Sequence, residues 1–340
     1  MSRQSLATAL ISIAPISIAL MQLAGCATQP AQQASEPPYL GPRITLRAAP
    51  GAAAPGAAAL ADRPGARPLG AIAYLNARRA ELGLATLAAD PLVAKAAAAH
   101  ASYLEANRTA GHEENAGLPG FSAADVTARV RLHTQTSGAS EVFAVYGGQR
   151  APELPMEEIF DSPYHRGAML YDWARAGEAV ASGNSQVIVV DFADPHPTIG
   201  ATELVAWPYD GQKDAPLAWQ DIEQPDPMGP DTRYRGAVLG YPITLSGGTN
   251  AHIELATFDL RDGHGKKVRC QIAPLTAADA GRNTAVCTPF SPLRPQTTYT
   301  VHATGRLTQQ FGVANAPFDL RWSFTTAATH PRAWLQQPHA

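Results

Sequence analysis

The chain predicts an α+β domain followed by an all-β domain. Between residues 68 and 197 apolar residues recur at helical spacing, interrupted by one β-branched run, Val187-Ile188-Val189-Val190. After Pro195-His196-Pro197 the helical period disappears, and short alternating runs bounded by turn residues replace it. A length of 340 residues leaves room for each part to bury its own core.

The N-terminal end carries a separate signal. Arg3 precedes an apolar stretch, Leu6 to Leu20, which is too short and wrongly flanked for a stable membrane span. It ends in Leu23-Ala24-Gly25-Cys26, which resembles a bacterial lipobox, so residues 1–26 are expected to be a lipoprotein signal with Cys26 lipidated. Ala27 is not aspartate, and the resemblance then implies the outer membrane of a Gram-negative cell, facing the periplasm or the outside. The membrane contact would run through that lipid, because no internal run is long and apolar enough to cross a bilayer. Residues 27–67 are rich in Ala, Pro, Gly and Gln and read as a flexible linker, having too little side chain to bury.

The elements of the first domain, 68–197, follow in order. Ile72, Leu75, Leu82 and Leu84 mark a helix stopped at Gly83. Asp90-Pro91 is an N-cap followed by proline in the first turn, and opens a helix running to Asn107. Its Ala94–Ala99 run reads as a close-packed face. The stretch 111–120 reads as loop, 123–132 and 153–160 as short helices, and 187–192 as a buried strand.

In the second domain, 203–330, the clearest strands are 237–240, 242–245, 253–258, 298–302 and 320–326, spaced as in a β-sandwich. Export to an oxidising compartment makes Cys270 and Cys287 a disulfide pinning neighbouring strands, since two cysteines are too few for a four-ligand zinc site. Trp207, Trp219 and Trp322 are read as core. A net charge of −3 supplies no electrostatic footprint for nucleic acid.

The chemistry-bearing residues are His112 in Gly111-His112-Glu113-Glu114, Glu141 in Ala139-Ser140-Glu141-Val142, and His165 in Ser162-Pro163-Tyr164-His165-Arg166. Two neutral imidazoles and a carboxylate suit either an open divalent-metal site, zinc for instance, or a hydrogen-bonded polar pocket. Glu141 is the candidate general base in the first case. His112-Glu113-Glu114-Asn115-Ala116 lacks the second histidine that a zinc-protease helix needs, and the absence of a Gly-x-Ser-x-Gly elbow argues against a serine hydrolase. His100 reads as packed against the core from its alanine-rich helix or facing solvent, His133 as surface, and Arg166 as a helix cap or local ion pair.

These motifs, with Leu75-Asn76-Ala77-Arg78-Arg79, His100-Ala101-Ser102-Tyr103-Leu104 and the strand 187–192, resemble the CAP superfamily (cysteine-rich secretory, antigen 5 and pathogenesis-related-1 proteins) in its bacterial form. The resemblance implies an α-β-α sandwich whose cleft collects His112, Glu141, Ser162 and His165, with His112 and His165 as metal ligands in some members. The second family glutamate is expected where Ser162 stands, leaving Glu157 or Glu158 as substitutes. The second domain resembles bacterial Ig-like domains through Tyr299 and Trp322. The leading expectation is an envelope lipoprotein whose cleft binds a small molecule, a glycan or a protein partner without catalysis. The alternatives are a metal-assisted hydrolase using His112, His165 and Glu141, and an architectural or adhesive protein.

Overall fold

The computed structural model describes residues 41–49, 70–147, 153–230, 232–273, 283–308, 310–312 and 315–329. The signal stretch, Cys26 and most of the expected linker lie outside these residues. Strand β1 (Thr45–Leu46) is followed by helix α1 (Ala71–Glu81), β2 (Ala88–Ala89), helix α2 (Pro91–Asn107), helix α3 (Val126–Arg131) and β3 (Ala139–Gly147). Helices α4 (Glu153–Asp161) and α5 (Pro163–Leu170) lead into β4 (Trp173–Ser182) and β5 (Ser185–Pro195). The sheet order is β2-β4-β5-β3, with β5 antiparallel to both neighbours.

Local chemistry explains the helix that packs on this sheet. The Asp90 carboxylate accepts from the backbone N–H groups of Leu92 and Val93, satisfying two donors that an α-helix leaves open at its start. The alanine face then does what its small side chains allow. Ala96, Ala97 and Ala101 are buried, and α2 comes so close to β4 that a Cβ on Gly177 would stand 2.0 Å from Ala94 N. Val187, Ile188, Val189 and Val190 of β5 are all buried, as their continuous apolar run predicts for a strand covered on both faces.

Part of the expected linker belongs to the fold. Thr45 and Leu46 pair in parallel with Glu203 and Leu204 of β6 (Glu203–Trp207), and Arg47 bridges Glu203 at 2.7 Å while donating to Leu82 O and Gly83 O. Ile44 is buried, so apolar alternation within Arg43-Ile44-Thr45-Leu46-Arg47 outweighs the glycine- and proline-rich sequence around it.

Beyond residue 197 the described chain is all-β apart from one 3₁₀ turn. It contains β7 (Ala218–Gln220), β8 (Val238–Gly240), β9 (Ile243–Ser246), β10 (His252–Arg261), β11 (Lys267–Val268) and β12 (Cys270–Ile272). It ends with β13 (Thr284–Pro289), β14 (Thr298–Thr308) and β15 (Asn315–Thr325). One sheet runs β1-β6-β9-β13-β12 and another β11-β10-β14-β15, with β7 and β8 as a separate pair. The Cys270–Cys287 disulfide joins neighbouring strands β12 and β13 across a Cα separation of 5.3 Å, well inside the range a disulfide spans. Trp207, Trp219 and Trp322 are buried. The indole N–H of Trp322 donates to Pro208 O and that of Trp207 to the Tyr241 hydroxyl.

The α+β and all-β regions share one continuous buried core. Phe160 meets Trp207 edge-on at 5.0 Å, and a Cβ on Gly167 of α5 would lie 2.3 Å from the Thr284 hydroxyl oxygen. Arg166, expected to cap a helix end, does so from a fully buried position. Its guanidinium donates to Phe160 O and Asp161 O at the end of α4, and also to Pro242 O beside β9. Asp172 accepts from Thr198, Ile199 and Thr249 backbone N–H groups, so it ties the start of β4 to two loops of the β region.

Close approach of α2 to β4 makes a direct prediction. Gly177→Ala pushes a methyl into helix backbone that has no rotamer to yield, and should cost about 2–3 kcal/mol in urea denaturation. A loss below about 0.5 kcal/mol, the range of neutral surface changes, would show that the helix backs away freely.

Candidate functional site

The cleft is assembled around strand β3. Glu141 is a β3 residue whose Cα partner on β5 is Asp191, and its side chain is completely buried. One carboxylate oxygen accepts from His112 Nδ1 at 2.9 Å and lies 3.4 Å from His100 Nε2. The other accepts from Arg129 at 2.8 Å. Arg129, from the short helix that Asp125 caps, also donates to His112 O, and its guanidinium has no solvent exposure.

His100 is therefore part of the site, a role beyond the core packing or solvent exposure expected of it. It is fully buried, contacts Glu114 through Nδ1 at 2.9 Å and Gly111 O through Nε2 at 3.0 Å. A carbonyl oxygen only accepts, so Nε2 carries the proton that Gly111 O receives. Glu114 also accepts from the Ser122 backbone N–H and hydroxyl, which closes the 111–122 loop over α2. The sequence mark of this role is the carboxylate at Glu114, which lies fourteen residues away in a loop.

Electrostatics fix the protonation of the pair under the cleft. Burial pushes the Glu141 carboxyl up, but the His112 hydrogen bond and the charges of His100, Arg129 and His112 outweigh it and hold the group below its usual range. Asp191 moves the other way. Burial first, and the Glu141 charge next, raise it well above the ordinary aspartate value. Among the described residues neither Asp191 oxygen meets a hydrogen-bond donor, so a proton on Asp191, shared toward Glu141, is what satisfies two facing carboxyls.

His165 lines the same cleft from the first turn of α5, a helix that the Ser162-Pro163 pair signals but the sequence reading passed over. Its carboxylate partner is Glu223, from the β region. Glu223 accepts from His165 Nδ1 at 2.5 Å and from the backbone N–H groups of His165 and Tyr164. Ser162 does not line the cleft. It is buried, and its hydroxyl turns back onto Glu158 O. The cavity measures about 870 Å³ and brings His112, Glu141 and His165 together with Gln224, Asn250 and Asn283 of the β region.

Residues 72–190 match the model of the cysteine-rich secretory protein family. This segment is a CAP domain. Solved structures that match include an extracellular protein containing an SCP domain from Bacillus anthracis str. Ames, at 18% identity and TM-score 0.32. That match covers 36% of this chain and 39% of the other, so the chain spans about two fifths of that protein's length. An outer surface protein from Borrelia burgdorferi matches at 23% identity and TM-score 0.31, covering 36% of this chain and 88% of that one. No curated protein matches the chain.

CAP relatives with paired histidines raise the question of a metal. Each cleft imidazole of this CAP domain has Nδ1 tied to a carboxylate, which is the orientation that metal-ligating histidines use. The donor set, however, does not fit a metal centre. Among the described residues no group of three or more His, Cys, Asp or Glu side chains converges closely enough to hold an ion, and Glu141 spends one oxygen on His112 and the other on Arg129.

Two substitutions test the buried pair. A raised aspartate costs stability once pH exceeds its unfolded value, because the native state retains a proton that the unfolded chain releases. Asp191→Asn removes that cost and should raise stability by about 1 kcal/mol near pH 7, with the gain vanishing at about pH 3. An equal gain at both pH values would show that Asp191 is not the protonated partner. Glu141→Gln leaves Arg129 buried beside a neutral amide and should cost about 3 kcal/mol at neutral pH. Because Glu141 is held low, that penalty should shrink only as pH falls below the ordinary glutamate range.

Proposed function

We propose that this chain is an exported, lipid-anchored envelope protein whose CAP cleft binds an uncharged, hydroxyl-rich small molecule, a stretch of glycan, without turning it over. The cleft's composition carries the reading. Among the described residues no Lys or Arg lines it to favour an anionic ligand, and Glu141 is already neutralised from beneath. Asn250, Asn283, Gln224 and Ser140 offer paired donors and acceptors that match hydroxyl groups, while Tyr171 and Ala251 offer apolar surface to sugar C–H faces. The volume lies toward the upper end of the ~300–1,000 Å³ typical of small-molecule sites.

Absence of turnover follows from the same chemistry. Glu141, the candidate base, is held by two donors, His112 and Arg129, and its side chain has no solvent exposure, which is unlike a base awaiting a proton. Export and anchoring rest on Arg3, the apolar stretch and the Leu23-Ala24-Gly25-Cys26 lipobox. In this reading residues 203–330, Ig-like by the buried Tyr299 and Trp322 near their end, form a rigid wall of the cleft.

Saturation-transfer NMR on the lipid-free chain, residues 27–340, separates the readings. Chitotetraose or cellotetraose should show transfer, and His112→Ala or Asn283→Ala should weaken binding about tenfold, equivalent to one lost hydrogen bond. Transfer to a sterol or a sulfated oligosaccharide alone would overturn the glycan assignment. Chelator should change neither binding nor melting temperature. Stoichiometric zinc in the purified chain, lost in His165→Ala together with a hydrolytic activity, would establish the metal-assisted hydrolase instead.

A further inference from the structure

The geometry points to Glu223 as a positioning residue of the cleft, one that makes the β region half of the binding site. Glu223 lies outside the segment that matches the CAP family, 58 residues from His165 in sequence, yet its side chain has no solvent exposure. Its three donors are His165 Nδ1 at 2.5 Å, His165 N at 2.8 Å and Tyr164 N at 3.2 Å.

The two backbone donors belong to the first turn of α5, where a helix has no internal acceptors to offer. Ser162 occupies the N-cap position but makes no side-chain capping bond. Glu223 therefore performs the N-cap's task from another part of the chain, and its negative charge suits the positive end of the helix. The same carboxylate sets the histidine. A carboxylate oxygen accepts, so Nδ1 of His165 carries the proton and Nε2 is left as the ring's acceptor for the cleft.

This arrangement repeats the one at His112, whose Nδ1 faces buried Glu141. One carboxylate comes from CAP strand β3, and the other from the β region. The residues that follow Glu223 build the wall beside the ring, since Gln224 and Pro225 line the cavity. A carboxylate serving only as packing would bear the full cost of losing its hydration. Here it fixes a tautomer, a helix start and a cleft wall at once. Ser162, where the family's second glutamate was expected, is free to be a small buried residue because that carboxylate arrives from elsewhere.

The consequence for ligand rests on the cleft being the binding site, but the tautomer does not. Long-range ¹H–¹⁵N spectra of the imidazoles in the intact lipid-free chain should show His165 protonated at Nδ1, the tautomer that free histidine disfavours in water. In Glu223→Ala the His165 pattern should revert to the Nε2–H tautomer while His112 is unchanged. Wild-type His165 protonated at Nε2, or an unaltered pattern in Glu223→Ala, would overturn the assignment. The wild-type spectrum decides this even where the variant fails to fold. Chitotetraose supplies the second arm: Glu223→Ala should weaken it about tenfold, no further than His165→Ala, and the double variant should add nothing to either single one. Additive losses would separate Glu223 from His165. If chitotetraose does not bind the wild-type chain, the glycan reading fails while the tautomer result still stands or falls by itself.

Discussion

Helix α5 is clamped between two regions by a single buried guanidinium, and the remaining architecture depends on that clamp. Arg166 has no exposed surface, and its guanidinium is met by backbone carbonyls. It distributes its donors over the carbonyls that end α4 and over the chain at Pro242. Those carbonyls are the acceptors a helix leaves open at its C-terminus, and a cation there is favoured by the helix dipole as well. Gly167, one residue further, lets the helix approach Thr284 closely, and Asp172 beyond it gathers donors from both sides of the seam. Since α5 presents His165 to the cleft, the position of that ring is decided by contacts outside the CAP fold.

The site beneath the cleft shows how charge survives burial. Arg129, His100 and His112 surround Glu141, and the carboxylates of Glu114 and Glu141 answer Arg129 and His100 in turn. Each group would be costly alone, because losing hydration outweighs any single contact. Together they exchange hydrogen bonds in a shared network, and Asp191 joins it by keeping its proton. Such a network resists substitution at any one member and fixes the loop 111–122 against α2.

Much of this was readable from local chemistry. Asp90-Pro91 announced α2 and the β-branched run announced β5, because in each case the deciding interaction lies within a few residues, and the expectation of export pointed to the disulfide. His112, Glu141 and His165 were legible as a set through family motifs. What escaped the reading was long-range. His100 looked inert on an alanine-rich helix because Glu114 and Glu141 reach it only after folding, and Glu223 carries no sequence mark that would join it to His165. Helix α5 was missed although Ser162-Pro163 marks its start, since Gly167 weakens its helical propensity and tertiary contacts restore it. The strand at Thr45–Leu46 hid inside a composition that looks unstructured.

That small strand changes how the chain is put together. β1 lies before the CAP domain in sequence, yet it completes the edge of a sheet whose other members, β6, β9, β13 and β12, all follow that domain. The CAP domain is thus an insertion within the β domain's connectivity. Its entry and exit are drawn to one point, where Arg47 reaches Glu203 and Thr198 O. A ribosome releases β1 long before its partner strand exists, so that edge must wait, unpaired, for the whole insertion to be made. Since β1 and β6 run parallel, excising the insertion would need a crossover connection leading from Arg47 back to Glu203, and a tight turn would not serve.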